Sequence, residues 1–155
     1  MQTDINFFME ITLASLKQQE GKIVNGSRSP AGNWLALRLE SVQRGQAAIS
    51  IVVRKEMCNP YGHIHGGMMS LLIDEAIGWA VVSLESTQHY TSLNLNVDFL
   101  YAAPEGEEIT AVANIVREGK KIIHAEVHVY NKQKVLLAKA TSNLIFTNMP
   151  FIAAQ

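Results

Sequence analysis

An α+β domain, with one antiparallel sheet of about six strands curled around a long central helix and a shorter helix ahead of it, is the fold class this sequence predicts. Three observations lead there. From residue 68 to residue 84 almost every position is apolar or small, which marks a helix wrapped by its own domain rather than laid on a surface. After it come four stretches of strand character, residues 90–101, 108–117, 121–131 and 135–146, joined by turns too short for a crossover and so forming an antiparallel meander. Two more strand-like stretches precede the helix, and a single sheet of this size covers such a rod best by curling around it.

Each element has its own signal. Asp4 caps a first helix running to about residue 19, with Ile5, Phe8, Met9, Leu13 and Leu16 at helical spacing and Gly21 ending it. Residues 25–33 read as a loop. Residues 34–39, in which Leu35, Leu37 and Leu39 alternate with Ala36 and Arg38, and residues 46–54 read as two strands turning at Arg44 and Gly45. In residues 90–101, Leu93, Leu95, Val97 and Phe99 fall on one face, with Ser92, Asn94, Asn96 and Asp98 on the other.

Composition narrows the function. A chain of 155 residues is long enough for one well-packed domain, taken as 1–155 with its core at about 34–146. Apolar residues make up 48% and charged residues 17%, so part of the surface is expected to lie against another copy of the chain. Thirteen basic and fourteen acidic residues give a net charge of -1, which argues against nucleic acid or an anionic membrane as partner. The single cysteine, Cys58, excludes a disulfide framework and a cysteine-rich zinc site and suits a reducing compartment. The first residues lack the basic, then apolar, pattern of a signal peptide, and Asp74 and Glu75 interrupt the one long apolar stretch. A cytoplasmic chain with no membrane span is the expectation.

The chemistry concentrates in residues 59–85. Pro60, Gly62, Gly66 and Gly67 build a turn just before the apolar helix, and Gly67, Ser70, Asp74 and Gly78 share one helix face. A carboxylate in the middle of such a helix needs a partner, a cleft or a reaction. A plainer reading, a capped buried helix whose acids turn to solvent at one edge, leaves the glycine turn unexplained. Phosphate-binding loops, a dinucleotide fingerprint and a serine-nucleophile elbow are all missing from the sequence. His63, His65 and Asp74 are too few and too irregularly spaced to make a strong metal site. His124 and His128 share a strand face with Glu126 and Tyr130, which reads as a solvated face. Acyl transfer fits better: a glycine pair opening a helix offers free N–H groups to a developing oxyanion. Asn59 and His65 could add donors, and Asp74 could act as general base or as nucleophile.

The run Asn59-Pro60-Tyr61-Gly62-His63-Ile64-His65-Gly66-Gly67, followed by Leu72-Ile73-Asp74 and by Ser92 within residues 91–96, resembles the hotdog-fold acyl-CoA thioesterases of the phenylacetate-pathway and 4-hydroxybenzoyl-CoA thioesterase-like superfamily. The resemblance covers about residues 34–146. It implies that Asn59 and the Gly66 N–H, beside His65, polarise a thioester carbonyl, while Asp74 and Ser92 activate or orient the attacking water. Gly67 and the basic turn of Arg117, Gly119, Lys120 and Lys121 would line the substrate, with coenzyme A entering as part of it and no metal or other cofactor required. His63 and Glu75 depart from the usual pattern. The alternative is a hotdog module that binds acyl-CoA without turning it over. The acyl group itself is not legible, although Met57, Met68, Met69 and Trp79 could line an adaptable pocket.

One distance bears on assembly. Gly66 and Asp74 lie eight residues apart on one helix, a rise of about 12 Å, too far for both to act on one carbonyl. A homodimer with two such helices antiparallel, alone or paired into a homotetramer, would bring Gly66 of one chain to Asp74 of the other.

Overall fold

A computed structural model of the chain describes residues 11–148. Of the four stretches expected to form a meander in the second half, the last three do so in the middle of a larger antiparallel sheet, whereas residues 90–101 pair with the last of them and not with the stretch that follows. Helix α1 (Leu13–Lys17) leads to strand β1 (Lys22–Ile23), helix α2 (Pro30–Leu35) and the hairpin β2 (Arg38–Gln43) and β3 (Gln46–Val52). Helix α3 (Gly66–Val82) follows, then β4 (His89–Ser92), β5 (Asn96–Phe99), β6 (Glu108–Glu118), β7 (Ile122–Asn131) and β8 (Leu136–Thr147). The strands lie in the order β1-β2-β3-β6-β7-β8-β4, with β5 also paired to β8. Eight strands replace the expected six because β1 adds a short edge and the stretch at residues 90–101 divides in two.

The helix sits on this sheet through one face. Met69, Leu72, Ile73, Ala76, Ile77 and Ala80 are buried, and each large one contributes roughly 1.5–3 kcal/mol by leaving water. The sheet strands the helix packs on bury Ala47, Ala111, Ala113 and Ala125 among larger residues such as Ile49, Ile109 and Val127. The opposite stripe, Gly67, Asp74, Gly78 and Val82, is exposed. The helix is therefore wrapped on one side and open on the side that carries its small and acidic residues.

Two strand expectations are corrected. Residues 34–39 do not form a strand from Trp34, because Ser29 and Pro30 start a helix there. Ser29 Oγ accepts from the Gly32 N–H at 3.0 Å, with proline at the first helical position, and Ala36 in the left-handed region ends the helix. Arg54 then seals this end by donating to the carbonyls of Leu35 and Trp34, both at 2.8 Å, with its guanidinium 4.8 Å from the Trp34 ring centre. Strand β2 begins only at Arg38. Within the described residues the first helix is capped by Thr12; the expected cap Asp4, with Ile5, Phe8 and Met9, lies outside them.

The second correction reaches the site. Ser92 pairs with Leu144, whereas Asn96 pairs with Thr141, so one extra residue is accommodated between them on the β4–β5 side. The bulge is held by Asn94, whose carbonyl accepts from Ser142 Oγ and whose Oδ1 accepts from the Asn143 N–H, each at 2.8 Å. A one-residue slip exchanges the faces of a strand. Ser92, opposite buried Leu144, therefore points to the helix side, as do Val97 and Phe99 opposite Ala140 and Ala138. Simple alternation puts Ser92 on the other face from Val97 and Phe99.

The β6–β7 turn depends on close backbone approach. The Gly119 N–H donates to the Ile122 carbonyl at 3.0 Å, and a Cβ at Gly119 would stand 2.6 Å from that oxygen. Gly119→Ala is expected to destabilise the fold by about 1–3 kcal/mol, seen as a lowered urea midpoint with an unchanged m-value. An unchanged midpoint would mean that the turn relaxes without loss.

Candidate active site

The turn before α3 holds its polar groups by hydrogen bonds among themselves. The Asn59 N–H donates to the His63 carbonyl at 2.7 Å, and Asn59 Oδ1 accepts from the N–H groups of Tyr61 and His63 at 2.9 and 3.2 Å. Gly62, at φ +78, makes the bend. With Oδ1 occupied, the end of the Asn59 side chain left to meet a ligand is its NH2, a donor. The turn is tied to the sheet side by Ile64 N–H to the Ala103 carbonyl and His65 N–H to the Met57 carbonyl, both at 2.8 Å.

His65 is the N-cap of α3. Its Nδ1 accepts from the Gly67 N–H at 2.9 Å, and its carbonyl accepts from Met68 and Met69 at 2.9 and 3.0 Å. In the neutral ring the proton then sits on Nε2, making that nitrogen a donor. Of the N–H groups opening the helix, the one on Gly66 has no acceptor among the described residues. It lies at the positive end of the helix dipole. A Cβ on Gly66 would come within 3.2 Å of the exposed Phe99 ring, which would have to shift slightly to admit it. Three donors of this one turn have no acceptor within it among the described residues: the Asn59 amide, the Gly66 N–H and His65 Nε2–H.

Two turns along the same helix stands the acid. Asp74 is exposed, and Ser92 Oγ donates to its Oδ1 at 3.2 Å. Both line a groove of about 690 Å³ that also takes in Ile77, Gly78, Val81, Tyr90 and Leu144. Asp74 and Ser92 are therefore brought together, and Asn59, His65 and Gly66 belong to one turn. The two groups remain separated by eight residues of helix, about 12 Å. The basic turn of Arg117, Gly119, Lys120 and Lys121 closes the β6–β7 hairpin at the sheet end where the Lys121 carbonyl accepts from Phe146, which in turn pairs with Tyr90 two residues before Ser92. Its three cations are exposed. Among the described residues no group of three or more His, Cys, Asp or Glu is placed to hold a metal ion, and no helix is long and apolar enough to cross a membrane.

With this geometry in place, comparison with known proteins is decisive. The profile of the thioesterase superfamily matches residues 61–138, half of the chain. The chain belongs to the thioesterase superfamily. Human acyl-coenzyme A thioesterase 13 is 27% identical over 96 residues, covering 62% of this chain and 69% of that protein. In fold, the chain is similar to the PaaI protein of the Escherichia coli phenylacetic acid degradation operon, with a TM-score of 0.71 at 23% identity over 76% of this chain and 88% of that one. It is similar as well to a thioesterase protein from Streptococcus pneumoniae TIGR4 solved with coenzyme A, with a TM-score of 0.68 at 24% identity over 72% of this chain and 85% of that one. The sheet curled on one helix is thus the hotdog fold of this superfamily.

Several participants were not legible in the sequence. Phe99 reaches Gly66 only through the bulge. Glu75 turns away from Asp74 and accepts a short hydrogen bond from Ser29 Oγ at the start of α2, and a Cβ on Gly32 would overlap its carboxylate. The signal that could have revealed α2 was present in the Ser29-Pro30 cap. Burial holds the Glu75 carboxyl above the ordinary carboxylate range; the Ser29 hydrogen bond opposes this and the Asp74 charge adds to it.

A raised carboxyl pKa means that the folded chain binds the Glu75 proton more tightly than the unfolded chain, so this residue's contribution to stability falls as pH rises from the ordinary carboxylate range. Glu75→Gln keeps the acceptor for Ser29 and cannot ionise. The stability of that variant relative to the original chain should therefore improve between pH 4.5 and neutrality in thermal melts, and a pH-independent difference would contradict the burial of Glu75.

Proposed function

We propose that this chain is an acyl-CoA thioesterase that hydrolyses a thioester to a carboxylic acid and coenzyme A. The observation that carries the reading is the contact between Ser92 and Asp74 on the open stripe of α3, the same helix whose first N–H, on Gly66, is unpartnered among the described residues. The thioester carbonyl accepts hydrogen bonds from the Gly66 N–H and the Asn59 amide, with His65 Nε2–H beside them. Asp74 takes a proton from a water that Ser92 helps to orient, and the water oxygen bonds to the carbonyl carbon. The oxyanion is stabilised by donors already oriented before the reaction begins. It collapses by breaking the C–S bond, and the proton held by Asp74 passes to the departing sulfur. No metal or organic cofactor is needed for these steps.

Both halves serve one carbonyl if two chains pair with their α3 helices antiparallel, Gly66 of one beside Asp74 of the other. The open α3 stripe supports this, as does the outer edge of β4 and β5, which has no strand beside it among the described residues and carries exposed Leu93 and Phe99. Such a surface is suited to a second copy. The position of the basic turn near β4 supports a role for Arg117, Lys120 and Lys121 against the phosphates of coenzyme A.

Asp74→Asn should lower kcat by at least ~10²-fold with substrate binding largely retained, and Ser92→Ala should lower it less. Near-normal turnover by the Asp74 variant would sink the reading. Mixing Asp74→Asn chains with Asn59→Ala chains should restore activity, because one of the two shared sites in a hybrid dimer carries neither lesion; no recovery after verified subunit exchange would place each site within one chain.

Neutralising Arg117, Lys120 and Lys121 should raise KM for CoA thioesters while sparing an N-acetylcysteamine thioester. Equal effects on the two substrates would remove the phosphate role.

A further inference from the structure

The turn before α3 carries a second imidazole, His63, that the steps above leave unused. Its main chain is fixed from both sides. The His63 N–H donates to Asn59 Oδ1 at 3.2 Å, its carbonyl accepts from the Asn59 N–H at 2.7 Å, and the residue pairs with Pro104 as an isolated antiparallel bridge. Around it, the Ile64 N–H donates to the Ala103 carbonyl at 2.8 Å and the Glu105 N–H to the Gly62 carbonyl at 3.1 Å. The ring, by contrast, is half-buried and makes no hydrogen bond or ion pair among the described residues.

Side chains alternate along a paired, extended segment. Ile64 goes into the core, so His63 and His65 lie on the opposite side of the chain, their Cα atoms about 7 Å apart. His65 caps α3 next to the Gly66 N–H. What the fold does not use at His63 is the capacity of an imidazole to hold and release a proton near neutrality. The hydrolysis has a proton to move. In the two-chain arrangement Asp74 stands on the helix opposite the donors and takes its proton from water there. The sulfur is two bonds from the carbonyl oxygen, so it departs beside the chain whose Asn59 and Gly66 hold that oxygen. His63 belongs to that chain and to that turn.

We propose that His63 is a catalytic residue of the hydrolysis, giving a proton to the departing sulfur and recovering the one held by Asp74. The role rests on the thioesterase reading. The C–S bond breaks with its electron pair going to sulfur, the protonated imidazole gives sulfur its proton, and a neutral thiol leaves. Asp74 then returns its proton to the neutral ring through water. Each turnover consumes one water and releases one carboxylic acid and one thiol, with both side chains restored. His65 is unsuited to this transfer, because its Nδ1 accepts from the Gly67 N–H and so holds the ring as a neutral donor.

Two small thioesters of one carboxylic acid isolate proton delivery. N-acetylcysteamine leaves as an alkyl thiolate, as coenzyme A does; thiophenol is more acidic and leaves faster without help. His63→Gln should lower kcat at least ~10-fold for the N-acetylcysteamine and CoA thioesters, and less than about twofold for the thiophenol thioester, with KM for the CoA thioester within about twofold. His63→Ala should behave alike, and added imidazole should restore kcat toward the alkyl thioesters only. Equal losses on both leaving groups, a change confined to KM, an unchanged kcat, or a His63→Ala chain that imidazole does not rescue would each overturn the assignment. Failure of the unsubstituted chain to hydrolyse any of the three thioesters would end the thioesterase reading and the role of His63 with it, whereas hydrolysis with no leaving-group dependence in the variants would end the role of His63 alone.

Discussion

The arrangement depends on one helix lying against a sheet by a single face. The strands α3 packs on, β3, β6 and β7, bury Ile49, Ile51, Ile109, Val127 and Val129 and, interspersed with them, the small Ala47, Ala111, Ala113 and Ala125. Leucine or isoleucine at the alanines would overfill this layer, and close-packed interiors do not absorb such a change without strain. Packing by one face takes Met69, Leu72, Ile73 and Ile77 into the core and leaves the opposite stripe in the open. Gly67, Asp74, Gly78 and Val82 are on that stripe because of the burial of the other face.

The helix N-terminus shows how few hydrogen bonds separate a capped end from a binding site. Every N-terminus has orphan N–H groups. Here His65 takes the one on Gly67 through Nδ1, which also orients the ring and directs its remaining donor outward. Asn59 is handled in a similar way: its oxygen holds the turn and its NH2 remains. The groups that satisfy the fold and the donors left over are the two ends of the same side chains. Preorganisation of this kind lets donors act on a developing charge without rearrangement.

Glu75 supplies the contrast. It neighbours Asp74 in sequence, yet about 100° of helical rotation takes it to the other side, where Ser29 at the start of α2 holds it in a half-buried place. One acid is fastened to the scaffold and the other is left to solvent and Ser92. Their separate roles follow from the helix period, and the local environments then diverge because one meets α2 and the other meets β4.

Much of this was present in the sequence. The apolar run of α3, the hairpin turns and the glycine turn at residues 62–67 are local signals, set by side-chain spacing and backbone freedom. They sufficed for a helix on an antiparallel sheet and, together with the family resemblance, for naming Asn59, His65, Gly66, Asp74 and Ser92 as candidates. The helical rise alone implied that Gly66 and Asp74 are too far apart to share a carbonyl. What only the tertiary structure decided lies where distant residues act on a segment. The bulge at Asn94 exists because Ser142 and Asn143 of β8 bind it, and no alternation within residues 90–101 announces it. That bulge puts Ser92 on the helix side within reach of Asp74. Strand-like alternation in residues 34–39 likewise gave way to the Ser29-Pro30 cap and to Arg54, nearly twenty residues on, closing over the helix end. Periodicity records which face a segment would present if undisturbed; the partners that shift it by one residue are set by strand pairing, which the segment's own sequence does not encode.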